Sequence, residues 1–173
     1  MSGAGAPDLF VDAQGVRVAI IAGSWHEEVM APMIAEAQAA LERAGSESEL
    51  VRVAGSFELP LAAQVALAPH DGAPPRFDAA VCLGVIIRGG TPHFDYVCNA
   101  VTDGLARVQL DTGRPVGFGV LTTDDEQQAL DRSGRPGAPE SKGREAAEAA
   151  LHLVAAVRAL RGPAASSQTA HGR

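Results

Sequence analysis

A chain of 173 residues, 46% hydrophobic and 20% charged, can bury one core and is neither disordered nor fibrous in profile. A net charge of −7, with a pI near 5.1, gives no overall electrostatic footprint for nucleic acid. No apolar run approaches the roughly 20 residues that cross a bilayer, and the first residues lack signal-peptide character; a cytoplasmic protein with no membrane or nucleic-acid partner is expected.

Residues 1–15 form a Gly/Ala/Asp-rich arm around Leu9-Phe10-Val11, either mobile or tied down by another chain as an added strand. Val16–Ala22 is a short β-branched strand ending at Gly23. Ser24, with Glu27 in the capping-box position, predicts a helix to Ala44 carrying Val29, Met33, Ile34, Ala37 and Leu41 as its apolar stripe. Gly45 stops it, and Pro32 predicts that its regular ladder begins late. Leu50–Val53 is a brief second strand. After Gly-Ser-Phe-Glu-Leu-Pro at 55–60, Pro60 opens a helix to about Ala68. Pro69–Arg76 is a surface loop rich in breakers.

Ala79–Ile87 is a continuous apolar strand that ends at Arg88-Gly89-Gly90. Thr91 is a good N-cap and Pro92 suits the first position of a helix reaching about Leu110, ended by Thr112-Gly113. Val116–Leu121 is the fourth strand, and Thr123 through Glu126 is a capping-box pattern for a short helix to Leu130. A Gly/Pro loop, Ser133–Ser141, precedes an Ala-rich helix from Lys142 to Leu160. The tail 162–173 reads as disordered, leaving 16–161 as a single domain. Cys82 and Cys98 have no metal-type spacing and read as buried free thiols.

Four alternations of strand and helix predict an α/β fold: a three-layer αβα sandwich with a four-stranded parallel sheet and helices on both faces, in a flavodoxin-like arrangement. Ligands of such sheets bind beyond the carboxyl ends of the strands. Gly23–Glu27, Gly55–Glu58, Gly89–His93 and Thr122–Asp124 all fall at that edge. Gly89 and Gly90 permit a tight turn and close approach of a ligand, and the helix start favours an anion. His93 stands in the first turn beside this seat, and an imidazole there suits proton shuttling.

Several candidates carry two readings. Trp25 is the only tryptophan and either packs in the core or stacks on a flat heterocycle. Phe57 and Glu58 share that ambiguity, Arg132 could merely complement a helix C-terminus, and Lys142 could be an ordinary surface lysine. Other templates fail. Gly117-Phe-Gly119 lacks the third glycine of a dinucleotide fingerprint, the run Gly137–Lys142 lacks glycine before lysine, and the five histidines have no metal spacing.

The run Gly84–Cys98, with Gly55–Pro60, Gly119–Thr123, Gln128–Arg132 and Lys142-Gly143, resembles the 6,7-dimethyl-8-ribityllumazine synthases over about residues 7–160. Ser24-Trp25-His26 resembles their actinobacterial members. The resemblance implies condensation of 5-amino-6-ribitylaminouracil with 3,4-dihydroxy-2-butanone 4-phosphate, releasing water and phosphate without cofactor or metal, as the penultimate step of riboflavin biosynthesis. It implies that Trp25 stacks on the pyrimidine, that Ser56, Phe57 and Glu58 hold the ribityl chain, and that Val85, Ile86 and Ile87 line the pyrimidine pocket. Gly90, Thr91 and Arg132 take the phosphate, His93 moves protons and Lys142 assists. Phe118, Arg132 and Lys142 come from a neighbouring subunit of a homo-oligomer. Ser56 stands where a smaller residue is common, and the loop between Arg132 and Lys142 is longer than in shell-forming members. A pentamer is therefore expected rather than a sixty-subunit shell, with riboflavin synthase as a possible functional partner. Two other classes fit the same fold: a flavin or lumazine binder without turnover, and a flavodoxin-like electron carrier. A phosphate seat argues against the binder, and a phosphate-side arginine against the carrier.

Overall fold

The structure, a computed structural model, describes residues 11–162. The predicted arm and tail fall largely on residues 1–10 and 163–173, outside that range. Four strands, β1 (Arg17–Gly23), β2 (Glu47–Val53), β3 (Ala79–Ile87) and β4 (Val116–Thr123), form one parallel sheet in the order β2-β1-β3-β4. Among the described residues five α-helices cover it: α1 (Glu27–Arg43), α2 (Leu59–Leu67), α3 (His93–Thr112), α4 (Glu126–Leu130) and α5 (Lys142–Arg161). The αβα expectation holds.

The two-residue period of the strands sorts the core. Val18, Ile20 and Ala22 of β1, with Val81, Leu83 and Val85 of β3, pack beneath α1 and α5. Ala19 and Ile21, with Ala80, Cys82 and Ile86, pack beneath α2 and α3. Both faces of the central strands are buried, so β3 reads as one apolar run rather than an alternation. Glycine sets how closely α5 lies on this sheet. A Cβ on Gly117 would stand 2.2 Å from the Ala146 carbonyl oxygen, and one on Gly119 would stand 2.5 Å from Leu83 Cδ2.

Several local expectations are corrected. Ser24 does not cap α1: its Oγ donates to Val53 O at 2.7 Å, and His26 takes the N-cap place with φ +56. Glu27 makes no capping box; it pairs with Arg52, whose hydrogen bond holds that carboxyl below its ordinary pKa. The ladder does not start late either. Val29 and Met30 already donate to His26 O, and Pro32 is accommodated inside the helix. The end of α1 is as expected: Gly45 at φ +77 closes a Schellman motif, with Ser46 N–H on Leu41 O.

β2 is three residues longer than its apolar stretch, because Glu47–Glu49 pair with β1 while their side chains stay in water at the sheet edge. Pro92, not Thr91, occupies the N-cap place of α3, and neither residue caps it through a side chain. Asp125, not Thr123, caps α4 by accepting from Gln128 N–H at 2.8 Å. Cys98 is half-buried rather than buried. Burial pushes the Cys82 thiol up to about 12, and burial together with Asp95 raises Cys98. Under native conditions a thiol-disulfide reagent at pH 8 therefore labels Cys98 slowly and Cys82 only after denaturant is added. Rapid labelling of both thiols in the native protein would contradict these environments.

Candidate active site at the carboxyl edge of the sheet

Chain connection reverses between β1 and β3, and the crevice above that pair is where an open sheet of this kind takes its ligand. The 3₁₀ turn Ser56–Glu58 sits over it. Glycine lets it come so close at one point: a Cβ on Gly84 would meet Ser56 Oγ at 2.5 Å. Ser56 is buried, and its Oγ donates to Val85 O at 3.4 Å. Its side chain thus faces the interior, and only its backbone is left for a ligand. Glu58 accepts from Gly55 N–H at 2.8 Å, which braces the same turn.

Trp25 and Phe57 are outside the core. Trp25 is 69% exposed, which removes the core-packing alternative, and it lies beside Gly55 and the Glu58 carboxylate. Phe57 is 63% exposed and forms, with His93, Tyr96, Val97 and Ala100, a groove of about 410 Å³ between the 3₁₀ turn and α3. His93 therefore has an apolar wall on one side and a helix start on the other. Gly89 and Gly90 precede that start. Neither has a positive φ, and a Cβ on either would meet nothing within 4 Å, so the fold of this chain does not itself demand glycine there. Open backbone beside the first two amides of α3, those of His93 and Phe94, suits an incoming anion, whereas the Asp95 N–H already donates to Pro92 O.

Val85, Ile86 and Ile87 do not share one pocket through their side chains. Val85 and Ile87 face the α1/α5 core and Ile86 the opposite one, so what they jointly offer at the edge is backbone.

Arg132 and Lys142 are brought together, but not onto the groove. Lys142 N–H donates to Arg132 O, while Glu140 lies 3.8 Å from the Arg132 guanidinium and 2.7 Å from Lys142 Nζ. Glu145 holds Nζ from the other side at 2.7 Å. Burial lowers the Lys142 pKa, but the hydrogen bonds of Glu140 and Glu145 outweigh it and leave the ammonium above the ordinary lysine value. It stays a charged donor, unsuited to act as a neutral base. A raised folded-state pKa stabilises below the unfolded value of 10.5 and is lost as pH climbs through the folded one. Lys142→Met accordingly lowers the melting temperature at pH 7, and its gap to wild type narrows above pH 10.5. A gap independent of pH would show that the charge is not the cause. Phe118 is likewise remote: it pairs with Cys82 on the edge strand β4, five positions before that strand ends, and is 45% exposed.

One charged residue at the edge has no signal in the linear pattern. Arg88 follows β3 directly, with Asp124 and Asp95 as its ion-pair partners and its guanidinium over the Phe94 ring. Among the described residues no cluster of His, Cys, Asp or Glu could hold a metal ion, and no helix is long and apolar enough to cross a membrane.

A family model described as 6,7-dimethyl-8-ribityllumazine synthase matches residues 15–158. Proteins of that name are similar over nearly their whole lengths. The one from Leifsonia xyli is 60% identical over 94% of this chain and 100% of its own. That from Kineococcus radiotolerans is 54% identical over 92% and 96%, and that from Streptomyces coelicolor 53% over 94% and 99%.

Proposed function

The chain belongs to the 6,7-dimethyl-8-ribityllumazine synthase family, a transferase family of riboflavin biosynthesis, and from that premise we propose how its residues carry the reaction. The substrates are 5-amino-6-ribitylaminouracil and 3,4-dihydroxy-2-butanone 4-phosphate. The aromatic amine attacks the ketone carbonyl, water leaves to give an imine, phosphate is eliminated from the four-carbon unit, and ring closure with loss of a second water yields the lumazine.

Trp25 stacks on the flat pyrimidine, helped by backbone groups of Val85, Ile86 and Ile87. The backbone of Ser56, Phe57 and the Glu58 carboxylate hold the ribityl chain. Gly90, Thr91 and the α3 amides seat the phosphate. His93 passes protons between amine, carbonyl oxygen and the carbon that loses hydrogen during elimination. Arg132, Lys142 and Phe118 complete the site from a second subunit, the two cations facing the leaving phosphate. Holding two reactants together supplies much of the acceleration, since effective molarity contributes on the order of 7–11 kcal/mol.

One observation carries this reading: the imidazole of His93 lies in a groove walled by Phe57, at the start of a helix whose preceding glycines face open space. Assembly draws support from the surface. Val51, Phe57, Leu61 and Val65 are exposed around an apolar trough of about 1040 Å³ beside the outer edge of β2, which no described strand pairs. A homo-oligomer, taken as a pentamer, covers this face. The domain is then 16–161, with riboflavin synthase as the enzyme that takes the product onward, in the cytoplasm.

Mixing the protein with both substrates tests the reading. Green lumazine fluorescence and released phosphate, appearing in equal amounts, are expected; absence of both would remove it. Sedimentation gives a five-subunit mass, and a sixty-subunit shell would overturn the pentamer. A binder without turnover would leave both substrates unchanged.

A further inference from the structure

We propose that Arg88 is a positioning residue of this site: it ties the first turn of α3 to the end of β4 and neutralises Asp95 and Asp124. Unneutralised, those carboxylates would repel a phosphate seated on the α3 amides. The inference rests on the phosphate seat proposed above.

The geometry is a three-way clasp. Arg88 N–H donates to Thr123 O, which extends the β3–β4 ladder by one residue. Its Nε donates to Asp124 Oδ1 at 2.9 Å, its Nη1 to Asp95 Oδ1 at 3.4 Å, and the guanidinium carbon lies 4.1 Å from the Phe94 ring centroid. Phe94 is itself buried in the α2/α3 core, so the stacked guanidinium has a fixed floor. Between Arg88 and the helix, Gly89 and Gly90 have open space where side chains would pack, so the turn draws no support from the glycines themselves. The clasp at Arg88 and the first helical turn at Asp95 hold the two ends of the seat.

Charge points the same way. Asp95 is in the first turn of α3 and Asp124 follows β4, so two carboxylates share one arginine. Arginine suits the task better than lysine, because a planar fork reaches two carboxylates and stacks on a ring at once.

Steady-state kinetics with each substrate varied in turn, together with inhibition by inorganic phosphate, test the proposal. Arg88→Gln raises KM for the phosphorylated ketone and Ki for phosphate by about fivefold, the size of the repulsion from two solvent-exposed carboxylates that have lost their shared cation. KM for the pyrimidine stays within about twofold, because the α3 seat makes no contact with that ring in this assignment. Adding Asp95→Asn and Asp124→Asn to Arg88→Gln brings the phosphate Ki back toward wild type. Arg88→Lys keeps the charge but loses the fork, and its phosphate Ki falls between wild type and Arg88→Gln. An equal rise in both KM values, no change in either, or no recovery in the triple variant overturns the proposal. Should Arg88→Gln fail to fold, Asp95→Asn carries the test: it lowers the phosphate Ki, and an unchanged or raised Ki overturns the proposal. Wild-type protein that forms no lumazine would instead overturn the proposed function. Active wild type with an unaltered Arg88→Gln removes this inference alone.

Discussion

His93→Ala and Arg132→Ala chains, each slow alone, recover turnover when they are unfolded together and reassembled. Loss of His93 removes a proton shuttle, worth on the order of 10²-fold or more, yet leaves the reactants held together. Loss of Arg132 removes charge-assisted bonds to phosphate, about 3 kcal/mol or roughly 10²-fold in kcat/KM. Within one chain the two residues serve different surroundings. His93 lines the groove with Phe57, Tyr96, Val97 and Ala100, whereas Arg132 bonds Gln128 O and faces Glu140. If each site takes His93 from one subunit and Arg132 from the next, random reassembly of equal amounts leaves about a quarter of the sites with both. Fluorescence of the mixture then rises far above the mean of the two parents. A mixture no faster than that mean would place the whole site within one chain.

Gly143→Val lowers the melting temperature by about 2–12 °C, from an overpacking cost of about 1–3 kcal/mol in a chain of this size. A Cβ at position 143 would stand 2.1 Å from the Met33 carbonyl oxygen, so backbone of α1 and not a pliable side chain would have to yield. The strain falls where α5 starts, one residue after Lys142, and the glutamate-held ammonium shifts with it. Gly89→Ala is the control: a Cβ there meets nothing within 4 Å at ordinary φ, so the melting temperature holds. Equal losses in the two variants would show that glycine at 143 serves flexibility rather than close packing.

Cap positions show why local pattern misled where it did. Ser24 and Thr123 both have the side chain a helix start wants, yet neither caps one. Ser24 finds the Val53 carbonyl, 29 positions away, because β1 and β2 end side by side. Thr123 is taken into β4, leaving Asp125 nearer the first amides of α4. Arg88 was invisible for a related reason. Its partners lie 7 and 36 positions along the chain, and nothing in Ile-Ile-Arg-Gly-Gly says which carboxylates the sheet will bring beside it. The resemblance assigns Val85, Ile86 and Ile87 to one lining, and only the structure shows that their side chains alternate between the two faces of β3.

By itself the sequence determined the alternation of strands and helices, the apolar stripe of α1, the glycine stop at Gly45 and the gathering of chemistry at the carboxyl edge. These rest on residues close together in the chain, where period, β-branching and the conformational freedom of glycine act without tertiary help. Only the tertiary structure decided the order β2-β1-β3-β4, the exposure of Trp25, and the inward turn of the Ser56 hydroxyl. It also decided the clasp of Arg88 and the distance of Arg132 and Lys142 from the His93 groove. Each of these depends on which segments remote in sequence end up in contact, and burial and charge pairing, not local propensity, select those contacts.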